Sequence, residues 1–507
     1  MKFSQKLDNF FEISARNSTV KTEIMGGVTT FFAMCYIMFV NPSTMSGANS
    51  GAIYNSIYIA TAIGAIVGTL LMALYAKMPY AQAPGMGLNA FFFSSFILVG
   101  FGTAAPFTDG AYFAGLSVIF IAGLVFMFLS VTGLRKKIAE ALPMCLKKAV
   151  PAGIGLFIAF IGLKNAGLVQ FNPYTFVQTG NWNIFNGVNA ILNTVTGQIE
   201  YVPVTWYSIA PALAAFLGVL FTAALSKTKL AKANVIVGIL FTTCLYYLFN
   251  IGNEAAFAAF QNILNPADTF KDFGNLGVQG WFKGFSYWTA DTAIAVILLV
   301  ITFCLVDMFD TLGTLQGTAT EAGMLDENGN PQNLNKCLFA DSTATVVGAM
   351  MGTSTVTTFV ESASGVSAGA RTGLASLVTA FLFFIAMFLS PLASMIPSAA
   401  TAPALIYVGV LMLKNFKDVD FSDLTTAVPA FLTLVMMPLT YSISNGIAFG
   451  MISYITLKFF KVFFTKEYSV KEYFAVKKGE VGEFFSKDII ILIIAILFLV
   501  RFFMVTM

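Results

Sequence analysis

The chain has 507 residues, of which 57% are hydrophobic and only 10% charged, and its net charge is +3. Its mean hydropathy is +0.79. This composition excludes a soluble domain and a nucleic-acid binder and leaves a polytopic membrane protein embedded in a lipid bilayer. Histidine is absent, and the five cysteines (Cys35, Cys145, Cys244, Cys304 and Cys337) show no C-x-x-C spacing, so no metal centre, disulfide framework or cofactor is expected.

The N-terminal stretch MKFSQKLDNFFEISARNS is polar and amphipathic, without the apolar core of a secretory signal. The first apolar segment is therefore expected to act as an uncleaved anchor. Fourteen membrane segments follow: 26–41, 52–77, 78–98, 112–134, 147–168, 205–225, 231–252, 290–318, 336–352, 353–375, 376–396, 399–414, 424–441 and 444–464. Basic residues cluster before the first segment (Lys2, Lys6, Arg16, Lys21) and after the fourth, sixth, twelfth and fourteenth. All of these fall on one side if the N-terminus is cytoplasmic, which is the orientation expected for the cell membrane.

Two segments are broken. In MPYAQAPGMGLNAFFF (78–93), Pro79 and Pro84 bracket an extended stretch before a glycine-rich helix start. GTSTVTTFVE (352–361) is β-branched and reads as a short strand, and ASGVSAGA (363–370) as a short helix. Non-helical backbone at membrane depth is tolerated only where protein buries it or a wet cavity lies beside it. Sliding 60–90 onto 340–370, an offset of 280, gives six identities, including Gly68 with Gly348 and Gly85 with Gly365. Seven segments per half place the halves in the membrane with opposite orientations, and such inverted repeats put substrate near the midplane.

Carboxylates at membrane depth are functional-site candidates by default. Asp310 lies in VDMFDTLGTLQGT (306–318), and Glu361 lies at the strand-to-helix break. Asp310 and Thr314 share a helix face, with Asp307 and Thr311 extending a polar stripe. The structural alternatives are a carboxylate bonded to neighbouring hydroxyls for Asp310 and a helix cap for Glu361. Asn89, in the first broken helix, reads equally as a helix–helix bond or a ligand contact. Gly85, Gly87 and Gly365 read first as close-approach positions. Arg371 reads as structural, and Asp341 as a helix cap or a partner of Lys336. Phe91, Phe309 and Phe359 adjoin the breaks and are the candidate stacking surface for a flat ligand.

TTFFAMCYIMFVNP (29–42), APGMGLNAFF (83–92), DMFDTLGTLQGTATEAGMLDENG (307–329) and GTSTVTTFVESASGVSAGARTG (352–373) together resemble the AzgA-like purine permeases of the nucleobase–cation symporters. The resemblance spans nearly the whole chain. It implies an all-α polytopic membrane fold, a fourteen-segment seven-plus-seven inverted repeat with core and gate domains and elevator-type movement. It also implies proton-coupled uptake of adenine, guanine or hypoxanthine, with no enzymatic activity. Its substrate carboxylates fall on Asp310 and Glu361 and its polar third-segment position on Asn89. Uracil-specific relatives carry a histidine where this chain has Thr314, which excludes a uracil-type histidine role.

The resulting expectation is a purine nucleobase:proton symporter. Its candidate substrate site is Glu361, Asp310, Asn89, Thr314, Phe359 and Gly365, with Asp310 and Glu361 the candidates for proton coupling. Rival readings are a same-fold permease for xanthine or uracil, an anion transporter of that fold, a membrane enzyme and a channel. No nucleophile–base pair, metal cluster or phosphate loop supports an enzyme. A homodimer is left open. Residues 1–252 and 290–465 are expected as the two repeats, 253–289 as an extracellular or periplasmic connection, and 466–507 as a cytoplasmic segment with a terminal apolar helix. The run after residue 487 is uninterrupted for only thirteen residues before Arg501, so an interfacial or protein-packed helix is favoured over a fifteenth span.

Overall fold

The computed structural model describes residues 3–47, 51–103, 105–133, 143–172, 175–192, 199–228, 230–257, 266–290, 292–326, 331–393, 395–465, 491–493 and 495–499. The chain is mostly helical. Seven helices among the described residues are long and apolar enough to cross a membrane, and five shorter apolar helices accompany them.

The first half runs α1 (Phe3–Phe11), α2 (Val20–Met34), α3 (Ile37–Ser46), α4 (Ala52–Leu71), β1 (Gln82–Pro84), α5 (Met86–Phe92), α6 (Asp109–Val131), α7 (Met144–Asn165), α8 (Trp206–Leu225) and α9 (Asn234–Phe249). The helix starts follow from local chemistry. The Thr19 and Thr108 hydroxyls accept the amides of Thr22 and Ala111, and Thr205 with Ser208 forms a reciprocal capping box. Between α7 and α8 lie two hairpins, β2 (Val169–Asn172) with β3 (Phe176–Thr179) and β4 (Val188–Leu192) with β5 (Ile199–Pro203). An all-α expectation misses these four strands, because they sit in a polar connection outside the apolar segments.

The connection from 253 to 289 is also structured. It holds α10 (Pro266–Asp272) and α11 (Val278–Lys283), which pack on α4 and α6. The Trp288 indole donates to Ser117 Oγ at 2.9 Å, tying the connection to α6.

The second half runs α12 (Ala293–Ala322), α13 (Leu334–Met351), β6 (Val356–Thr358), α14 (Ser362–Ser367), α15 (Gly373–Ala386), α16 (Ser398–Leu413), α17 (Leu424–Leu439) and α18 (Ile443–Thr465). Both broken segments form as expected, each a three-residue strand followed by a short helix. The strands pair antiparallel in the register Gln82↔Thr358, Ala83↔Thr357 and Pro84↔Val356. Each strand partner thus satisfies backbone groups that a lone extended segment would leave unpaired in hydrocarbon.

The repeat is in the structure, but not at the offset of 280. The helix preceding each strand ends on a left-handed residue, Lys77 in one half and Gly352 in the other, 275 residues apart. Paired Ala83 and Thr357 are 274 apart. The identities at 280 reflect an Ala/Gly-rich composition, and Glu361 corresponds to Gly85 rather than to Ala81, since these two residues cap α14 and α5.

The helices pack in two groups that do not coincide with the sequence halves. One group comprises α2–α6 and α12–α15 with the β1–β6 pair, and the other α7–α9 and α16–α18. Each half contributes to both groups. The seam between them brings α5 and α12 against α7, and α3 against α16.

Most of the C-terminal run lies outside the described residues. Residues 491–493 and 495–499 are helical, with Ile491, Ala495 and Phe498 buried at helical spacing and Ile493 and Ile496 exposed.

Candidate functional site

A cavity of about 210 Å³ opens in the seam. That is roughly seven waters at ~30 Å³ each, enough for a compact bicyclic solute. One helix face of α12 supplies Asp310, Gly313, Thr314 and Gly317 at the i, i+3, i+4, i+7 spacing. The two glycines leave room there. A Cβ at Gly317 would meet nothing within 4 Å, and one at Gly313 only Pro151 Cγ at 4.0 Å. The first break contributes Gly85, Met86 and Gly87, and the second Thr357 through Glu361. The opposite wall, from the second helix group, is apolar: Pro151, Ile154 and Ile158 of α7 and Val408, Leu411 and Met412 of α16. Lys414 stands at the rim.

Glu361 caps α14, and Tyr36, in the break between α2 and α3, donates its hydroxyl to Glu361 Oε1 at 2.5 Å. Asp310 is half-buried and accepts no hydrogen bond among the described residues, which leaves its carboxylate available to the cavity. Gly85 is its close neighbour: a Cβ there would lie 3.6 Å from Asp310 Oδ2 and 2.7 Å from Thr357 Cγ2. Absence of a side chain at Gly85 therefore lets the first strand approach both the second strand and the carboxylate.

The family profile described as "Permease family" matches residues 21–449. The chain belongs to this permease family. Guanine/hypoxanthine permease PbuG of Bacillus subtilis (strain 168) is 40% identical over 88% of this chain and 93% of its own. Adenine permease AdeP of Escherichia coli (strain K12) is 36% identical over 89% of this chain and 90% of its own. The transmembrane domain of the cyanobacterial bicarbonate transporter BicA shares the fold, with a TM-score of 0.58, 17% identity and coverage of 84% of this chain and 96% of that domain. Murine Slc26a9, an anion transporter, has a TM-score of 0.52 at 12% identity over 87% of this chain and 68% of its own. These neighbours carry the seven-plus-seven inverted-repeat fold.

In this permease Asp310, Glu361, Thr314 and Phe359 all line the one cavity. The other two candidates stand elsewhere. Asn89 is buried, donates to Pro84 O at 3.3 Å and accepts from the Ser354 hydroxyl. Its amide binds α5 to the segment before β6 and is not part of the cavity wall. A Cβ at Gly365 would lie 2.1 Å from Thr30 Oγ1 and 2.6 Å from Gly26 O. Gly365 is therefore where α14 presses on α2, a packing position away from the cavity. Phe91 packs on Phe303 in the core with ring centroids 4.7 Å apart, and the side chain of Phe309 is outside the described set.

Arg371 donates to Val366 O and Ala370 O at 2.7 Å, closing the end of α14 as a structural residue. Asp341 departs from its sequence reading. It lies fully buried within α13, where Thr311 donates to both carboxylate oxygens at 2.9 Å and Gln82 Nε2 donates at 3.3 Å. The permease thus holds a third carboxylate directly behind the paired strands, tied through Thr311 to Thr357 at 2.7 Å.

Sequence reasoning also missed Tyr36, although a tyrosine inside an apolar segment signals a hydroxyl that needs a partner. The apolar wall from α7 and α16 carried no signal, because its residues look like any lipid-facing or core residues.

Proposed function

We propose that this permease imports purine nucleobases, guanine and hypoxanthine or adenine, by proton symport. The observation that carries the reading is the convergence of Asp310 and Glu361 on one cavity between two helix groups. A purine edge presents adjacent N–H donors and ring acceptors. A carboxylate accepts such donors in charge-assisted bonds, which are the strong ones. Tyr36 occupies one oxygen of Glu361, orienting the carboxylate and leaving Oε2 for substrate. Phe359 offers an aromatic face, and the Thr314 hydroxyl can donate or accept.

Asp310 is the proposed proton carrier. Protonated, it gains an O–H donor and loses its charge. That change supports an elevator in which the first helix group, as core, slides past the second, as gate. The gate wall is apolar, and a bare carboxylate dragged across it is costly. Protonation of Asp310 with a purine covering Glu361 removes that cost, so the loaded site crosses and the half-loaded site does not. Lys414 at the rim, with Lys417, lies on the inner side under the positive-inside assignment, so the cavity is read as facing the cytoplasm.

An anion substrate, as suits the bicarbonate transporter of the same fold, is disfavoured by two acidic side chains in the cavity. Uptake of radiolabelled hypoxanthine, guanine and adenine into proteoliposomes separates the readings. Accumulation that follows an imposed inward proton gradient and collapses with a protonophore is expected. Purine-independent bicarbonate or sulfate flux would overturn the proposal.

A further inference from the structure

A second cavity of about 220 Å³ lies in the same seam. Helices α5 and α7 run through both. The first turn of α5 (Met86, Gly87) and Ile154 of α7 face the first cavity, while Ala90 and Lys164 face the second. Beside the first cavity the two helices lie close: a Cβ at Gly87 would lie 2.5 Å from Ile154 Cγ2 and 3.3 Å from Ile443 Cδ1. The two cavities thus lie along one seam and share two helices in their walls.

The second chamber differs in chemistry. It is lined by Ser43, Thr44, Asn165 and Ser398, and it holds no carboxylate among its described lining residues. The Lys164 ammonium lies over the Tyr441 ring, 4.9 Å from its centroid. Tyr441 is held in an unusual way. It follows the end of α17 with φ +52°, a left-handed conformation that a bulky side chain rarely adopts. Its ring is wedged edge-on against Phe157 and Phe160, with centroids 5.3 and 6.4 Å away. A strained backbone that is held in place by surrounding packing marks a position where the side chain's placement matters.

We propose that Lys164 and Tyr441 form a second subsite, for a flat heteroaromatic base bearing a carbonyl oxygen, at the opposite mouth of the permeation path. This rests on the purine-transport reading and extends it to the far side of the seam. The ammonium supplies donors to a ring carbonyl, the aromatic ring a stacking face, and the hydroxyls and the Asn165 amide the remaining bonds. Carbonyl-bearing purines suit this chamber. An amino-purine without a carbonyl leaves the ammonium without a strong acceptor, so the subsite favours oxopurines such as hypoxanthine over adenine.

The test is chemical protection in a cysteine-free full-length chain carrying Ile161→Cys, an apolar lining position of this chamber, as reporter and Glu361→Gln to disable the central site. Hypoxanthine is expected to slow modification of the reporter by a water-soluble thiol reagent, by roughly threefold when present at twice its dissociation constant. Adenine is expected to protect less. Adding Lys164→Met or Tyr441→Leu is expected to abolish the protection. No protection by hypoxanthine, in a chain whose Glu361-intact counterpart still takes up hypoxanthine, overturns the subsite and leaves the transport function standing. Protection unchanged by both added substitutions also overturns it. If the Glu361-intact chain takes up no purine at all, the transport reading itself fails and the subsite with it.

Discussion

Tyr36 and Glu361, separated by 325 residues in sequence, meet through a 2.5 Å hydrogen bond at the cavity wall. The tyrosine sits where one transmembrane helix breaks, and the glutamate caps the short helix of the opposite repeat. Their bond joins two interruptions of regular structure and fixes how the carboxylate faces the cavity.

Glu361→Gln retains size but replaces an acceptor oxygen with a donor that would face the substrate N–H. Losing one charge-assisted bond is expected to cost roughly 1.5–3 kcal/mol, about 10- to 150-fold in affinity. Tyr36→Phe is expected to weaken binding less, since it frees the carboxylate without removing it. Equilibrium binding of labelled purine to purified protein measures both. Wild-type affinity in a folded Glu361→Gln chain would remove Glu361 from the site.

Asp310→Asn mimics the protonated carboxyl permanently. Purine exchange across a membrane is expected to continue, while accumulation driven by a pH gradient is lost. Counterflow and gradient-driven uptake in the same proteoliposomes distinguish the two. Retained accumulation would move the proton to another group, Glu361 first.

Gly317→Ala and Gly317→Leu test the cavity's volume without a packing defect, because a Cβ at that position meets nothing within 4 Å. Replacing an interior helix glycine by alanine gains about 1 kcal/mol of helix propensity. Thermal stability is therefore expected to hold or rise while purine affinity falls, more for leucine than for alanine. Unchanged affinity in Gly317→Leu would show that the substrate does not occupy this chamber.

Asp341→Leu removes the acceptor that serves Thr311 and Gln82. Each buried donor left unpaired costs about 1–3 kcal/mol. A marked drop in thermal midpoint is expected, with a smaller drop for Asp341→Asn, which retains one acceptor oxygen. Equal midpoints for the two variants would show that these bonds do not stabilise the strand pair.

In the C-terminal helix Ile491, Ala495 and Phe498 are buried along one face, and the expectation is a helix packed on the inner side rather than a further span. A tag fused after Met507 is expected to resist labelling by an impermeant reagent in intact cells. Labelling from outside would mean that the helix spans.

The segments that cross the membrane, the two breaks and the two cavity carboxylates could all be read from local properties. Apolar length, Pro79 and Pro84, the β-branched run before Glu361 and a charge at membrane depth each declare themselves within a few residues. Most transmembrane helix boundaries consequently agree with the structure to within a few residues, but the first segment runs Val20–Ser46 rather than 26–41 and the helix expected over 376–396 ends at Ala386. The hairpins between α7 and α8 escaped because their signal is the weaker two-residue alternation of a polar connection.

Long-range partnership was decided only by the tertiary structure. Asn89 and Gly365 have the residue types of a binding site, yet the fold turns Asn89 toward Ser354 and Gly365 onto Gly26 and Thr30. Asp341 looks like a helix-start residue and is instead buried behind the strands. The repeat's register came from the pairing of Ala83 with Thr357, where backbone hydrogen bonding leaves no sequence trace. The seam itself joins Asp310 and Glu361 to Ile154 and Leu411, residues that nothing in the chain distinguishes from other core or lipid-facing positions. Periodicity and composition report what one segment needs, a buried face or a bend. Which segment satisfies that need depends on how the two halves interleave, and that follows from packing alone.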